Sequence, residues 1–207
     1  MRNAASAVPP VEKSPGGPLT AEHHRELALA RQRSKSIRKA ARVAGFNGWA
    51  TAIVAALSAP FALFSLSGAL VFIAVSVVAY NEFRGRKRLL QFDQRAAAFL
   101  GWNQIGLLAI IVGYSLWAIH TNLNQASSVS AQLEAYAELD SALGSMGEFE
   151  TLAKQIVLLF YGSVIVISVV FQGLNAIYYF SRRAAIDSYV RDTPKWVRDL
   201  QCDTFPT

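Results

Sequence analysis

Cys202 is the only cysteine in the chain, so no disulfide can form within it. That excludes small multi-span folds whose outer loops are stapled by disulfides. Histidine is nearly as scarce, with 3 in 207 residues. His23 and His24 lie beside Glu22 and Glu26, but adjacent side chains on a helix point apart and no further ligand accompanies them. No metal site is expected. The chain also lacks a phosphate loop, a dinucleotide fingerprint and a CxxC pair. Gly113-Tyr114-Ser115 begins like a nucleophile elbow, yet its second glycine is missing and it falls inside an apolar run. No catalytic residue and no cofactor are expected, and the chain reads as a non-enzyme.

Charge is the next shortage. Charged residues make up 16% of the chain, against about 25% in soluble domains. Apart from Glu82, one residue from the end of the second, they are missing from four apolar runs, 46–64, 67–83, 101–119 and 156–180. No Asp, Glu, Lys or Arg lies mid-run, which disfavours a proton relay or a voltage sensor. Residues 1–19 are rich in Pro and Gly, read as disordered, and hold no apolar core of signal-peptide type.

What is present is asymmetry. Arg and Lys crowd 25–42, 84–95 and 182–198, whereas 120–155 carries Glu134, Glu138, Asp140, Glu148 and Glu150 against Lys154 alone. Basic segments on one side of the apolar runs predict a polytopic membrane protein, with both termini cytoplasmic and the cytoplasmic (plasma) membrane as its place. The net charge of +6 has its source in those segments. No nucleic-acid motif accompanies it, so nucleic acid is not an expected partner.

The fold class follows: all-α, with four transmembrane helices, inner-surface basic amphipathic helices and an external helical hairpin. Residues 20–44 form a basic cytoplasmic or interfacial helix, with Thr20 as N-cap and Glu22 in its first turn. Residues 45–83 form a transmembrane hairpin. A turn at 65–68 leaves 19 and 17 residues on either side, near the minimum for a span, while a turn at Pro60 would leave the first span too short. Pro60 is then expected to kink the first helix. Residues 84–100 read as an amphipathic inner-surface linker, with Leu89, Phe92, Ala96 and Phe99 at helical spacing. Spans three and four occupy 101–180, joined by an external hairpin at 120–155, and 181–207 is a cytoplasmic helix and tail.

Four sets of residues stand out. Asn81, Asn103, Gln104, Ser168, Gln172, Asn175 and Tyr179, with Asn47 nearby, lie in the inner third of the spans. Gln172 is roughly 12 Å inside the boundary at 1.5 Å per residue. An amide at that depth needs protein or water, so these residues either line a pathway or form an interhelical polar layer. Glu82 is the one acid near the inner ends, with Arg86, Arg182 and Arg183 as candidate ion-pair partners. Arg31, Arg33, Lys35, Arg38, Lys39, Arg42, Arg84, Arg86, Lys87 and Arg88 form a basic set suited to anionic headgroups. Phosphorylation of Ser34 or Ser36 among them would weaken that attraction. Gly45, Gly48, Ala52, Ala55, Ala56 and Ala59 give span one a small-residue packing face.

Two functions fit this pattern. The leading one is a homo-oligomeric, channel-like assembly with a pathway between subunits. The other is a membrane scaffold that docks anionic lipid on its inner surface and a protein partner at the external hairpin.

Overall fold

The computed structural model describes residues 19–134 and 146–203, with side chains over 19–124 and 151–202. The Pro/Gly-rich stretch before Leu19 and the apex of the expected outer hairpin lie outside the described residues. Among the described residues six helices follow one another: α1 (Ala21–Arg33), α2 (Lys35–Phe64), α3 (Leu66–Leu90), α4 (Ala96–Glu134), α5 (Met146–Asp192) and α6 (Lys195–Asp203).

α1 begins where a capping box ties its first turn. Thr20 Oγ1 accepts from His23 N–H at 3.3 Å, and His23 Nδ1 accepts from Thr20 N–H at 3.3 Å. The helix breaks at Ser34, whose buried hydroxyl donates to the Arg31 carbonyl at 3.1 Å. α2 then runs 30 residues without a break. The basic segment 20–44 is therefore α1 plus the first turns of the first long helix, not one separate surface helix. Its thin apolar stripe is the cause: Ala30, Ile37, Ala40, Ala41 and Ala44 are buried in protein. Ser34 is also fully buried, which removes it as an accessible phosphorylation site.

A single extended residue, Ser65, joins α2 to α3. Its backbone N–H closes α2 on the Phe61 carbonyl at 3.2 Å, and its hydroxyl caps α3 by accepting from Gly68 N–H at 3.0 Å. α2 stays helical through Pro60. The two helices pack closely along their length. At Gly48 an added Cβ would lie 3.1 Å from the Phe83 ring and 3.2 Å from Glu82 Cβ, so any larger residue would push the two helices apart by a few tenths of an ångström.

α3 continues to Leu90, so most of the expected surface linker 84–100 is instead the end of α3 and the start of α4. The connection is built by a Schellman stop. Asp93 N–H bonds the Arg88 carbonyl at 3.0 Å and Phe92 N–H bonds the Leu89 carbonyl at 3.1 Å. Phe92 occupies the left-handed position, φ 56°, where glycine is usual. Its ring is buried and stacks on Tyr189, centroids 4.3 Å apart. Leu89, Phe92 and Ala96 thus face protein rather than lipid. At Gly85 the Leu100 side chain fills the space a Cβ would need, which brings α3 onto α4.

α4 and α5 form the second closely packed pair, and α3 against α4 and α2 against α5 join the pairs. The N-terminal turns of α2 and α4 meet the C-terminal turns of α3 and α5 at one end, with α1 and α6. All three basic segments gather there. Their core is Ile37, Leu89, Leu100, Tyr179, Ile186, Tyr189 and Val197, among others. Arg33 donates to the Asp192 carbonyl at 2.7 Å, and Tyr189 donates to Gln201 Oε1 at 2.8 Å, tying α1 and α6 to the end of α5.

Away from that end the bundle wears its apolar residues outside. Leu57, Phe61, Leu63, Leu159, Val166 and Phe171 are all more than 60% exposed. Water would not tolerate so continuous an apolar surface, whereas hydrocarbon would. Four helices, Lys35–Phe64, Leu66–Leu90, Ala96–Asn124 and Thr151–Asp192, are long and apolar enough to cross a membrane.

Candidate functional site

The buried face of α3 repeats at helical spacing: Val75, Val78, Ala79, Glu82, Gly85, Leu89. Glu82 falls inside that stripe, which carries its carboxyl group into the bundle with no exposure. A carboxyl there must find donors.

Two come from the first turns of α4. Asn103 Nδ2 and Gln104 Nε2 each donate to Glu82 Oε1 at 2.8 Å. The second Asn103 proton goes to the Val78 carbonyl at 3.1 Å. From α5, Tyr179 donates its hydroxyl to Glu82 Oε2 at 3.3 Å. Asn47, on α2, donates to the Tyr179 hydroxyl at 3.2 Å and to Asn175 Oδ1 at 3.4 Å. Asn175 returns its own N–H to the Phe171 carbonyl at 3.0 Å. One connected network thus takes a member from each of the four long helices. Both carboxyl oxygens are satisfied by neutral donors.

The expected ion pair is not formed. Among the described residues no Lys or Arg lies within bridging distance of Glu82. The phase of the helices explains it: Arg86 is exposed and lies across Gly45, Arg182 sits over the Tyr178 ring at 4.6 Å, and Arg183 is exposed. The polar set also divides. Asn103, Gln104, Asn175 and Tyr179 join the network. Ser168 is buried and Gln172 half-buried, further along α5 and outside it. Asn81 is half-buried and faces a groove between α3 and α4. Asn47 is the member sequence reasoning gave least weight. The signal was available in its place beside Gly45 and Gly48, on the packed face of α2.

The small-residue face is used within the chain. Gly45, Gly48 and Ala55 are buried, Ala52 and Ala59 half-buried, and Ala56 exposed. The basic set lies on the outside of its end of the bundle. Arg31, Arg33, Lys35, Lys39, Arg42, Arg84, Arg86 and Lys87 are exposed, and Arg38 and Arg88 half-buried. Among the described residues no group of three or more His, Cys, Asp or Glu is placed to hold a metal.

These features are compatible with one class, an all-α multi-pass membrane protein with a polar network near its basic end. No family model, curated protein or solved structure matches the chain.

Proposed function

We propose that this chain is a non-enzymatic membrane scaffold. Its basic end lies in the cytoplasm and presents a fixed cationic platform to anionic headgroups and to acidic protein surfaces. The observation that carries this reading is the network around Glu82. Four of the amides that could have lined a path, Asn47, Asn103, Gln104 and Asn175, are instead bonded within that network. What they supply is register among four helices, directly beneath the core that joins α1 and α6 to the bundle. A platform so braced holds its cations in a fixed pattern, which suits docking. The acidic segment 120–155 is the second docking surface in this reading.

The test is ion flux in liposomes holding the purified chain, beside flotation with anionic and neutral vesicles. The scaffold reading expects flux no greater than in protein-free liposomes. It also expects neutralising Arg84, Arg86 and Lys87 to change partner recovery without changing membrane insertion.

The second reading is a channel-like homo-oligomer, favoured by the Asn81 amide, which lies outside the network on an open groove. A path would then run between subunits. It expects a conductance that Asn81→Leu abolishes and an oligomeric mass in detergent. A strictly monomeric mass without flux rejects it.

A further inference from the structure

The groove between α3 and α4 has a floor and an end of different chemistry. Its volume is about 460 Å³, and Ala74, Val77, Val78, Phe99, Gly106 and Ile110 make most of its wall. On α3 the lining recurs at 74, 77, 78 and 81, one helical stripe. Continuing that stripe toward the basic end gives Arg84 and then Arg88. Arg88 places its guanidinium 5.0 Å from the Phe99 ring centre, at the groove's end. On α4 the stripe 99, 102, 103, 106 and 110 extends back to Arg95, which is exposed. Between the apolar wall and the cations stands Asn81, which makes no hydrogen bond to another described residue. Unpartnered in hydrocarbon, that amide is costly. Asp93 is the acid in reach, and it approaches Arg88 no closer than 3.9 Å.

We infer that this groove is a binding site for one anionic phospholipid. An acyl chain lies along Ala74, Val77, Gly106 and Ile110. The ester and glycerol oxygens accept from Asn81, and the phosphate faces Arg84 and Arg88. A neutral apolar occupant would leave the Asn81 amide and the Arg84 guanidinium unanswered and Arg88 with only its long pairing to Asp93. A second copy of this chain presenting the same groove would bring like charges together. The site rests on the reading that these helices span a membrane and deepens the proposal that the basic end meets anionic lipid.

Gly106 offers a place to add a side chain to the groove wall. A Cβ built at Gly106 meets nothing within 4 Å. The experiment is native mass spectrometry of the full chain in mild detergent, offered equal amounts of phosphatidylglycerol and phosphatidylcholine with the same acyl chains. Wild type is expected to retain one phosphatidylglycerol with a preference of about thirtyfold, the scale set by two nearby cations. Gly106→Leu should lower retention of that lipid by a similar factor at unchanged helicity and melting temperature. Arg84→Gln with Arg88→Gln should keep a bound lipid but bring the preference near unity. Equal retention of both lipids by wild type overturns the site. So does wild-type preference in both variants, or a dimer that holds no lipid. Carbonate extraction of the source membranes separates the two claims: a chain that resists extraction but shows no preference loses only the site, whereas one released without detergent loses the membrane reading as well.

Discussion

Glu82 shows how much a single side chain can organise when no cation answers it. Its two oxygens collect donors from α4 and α5, and Tyr179 passes the connection on to Asn47 of α2. Replacing one oxygen by an amide would set a donor against Asn103, Gln104 or Tyr179. Glu82→Gln is therefore expected to lower stability by about 1–3 kcal/mol, the cost of leaving buried donors unanswered. Tyr179→Phe removes one long bond and the acceptor for Asn47, and should cost less, about 0.5–1 kcal/mol. Thermal melting of the detergent-solubilised variants reads both. Arg183→Gln is the control: an ion pair with Glu82 would make it as damaging as Glu82→Gln, whereas the observed geometry leaves it near wild type. The carboxyl's partner was misread in the sequence because charge pairing was weighed ahead of helical phase. The stripe Val75, Val78, Ala79, Glu82, Gly85 points inward, and Arg86 belongs to its exposed flank.

At the scale of elements, the joints were partly legible. The turn at 65–68 followed from span length alone, and the chain does reverse at Ser65. The other boundaries were not legible in the same way. The 3.6-residue spacing of Leu89, Phe92, Ala96 and Phe99 reads as one amphipathic helix, because a phenylalanine at a left-handed C-terminal stop carries no glycine signal. Tertiary packing on Tyr189 selects the stop. That gives a sharp prediction. Phe92→Ala loses the buried ring and keeps the strained backbone, at a cost of about 3–5 kcal/mol. Phe92→Gly loses the ring but relaxes φ 56°, so it should be the more stable of the two by about 1 kcal/mol. Paired melting curves decide it, and alanine above glycine would mean that the left-handed turn is not adopted. The basic segment 20–44 was similarly under-read: Ala-rich spacing looked too weak to pack, yet alanines are what let α1 and α2 lie close to α5.

For the whole molecule, the charge pattern was the strongest signal, and the fold gives it a physical form. Three basic segments far apart in sequence converge on one end because an even number of long antiparallel helices returns them there. α4, with 39 residues, and α5, with 47, rise about 58 and 70 Å, well past a hydrocarbon core of about 30 Å. What no pattern in the sequence could supply was which surfaces the helices keep for each other. Gly45 and Gly48 are spent on α3, so an assembly of several copies must use other faces. We propose that the basic end is cytoplasmic, with four crossings between it and the acidic segment's side. The most direct measurement exploits the single native cysteine. In a Cys202→Ser background, Ser6→Cys, Ser127→Cys and Thr207→Cys are each exposed in intact cells to a membrane-impermeant maleimide. Labelling is expected at 127 alone, with 6 and 207 reached only after permeabilisation. Labelling of position 6 or 207 in intact cells, or protection of position 127, would contradict that topology.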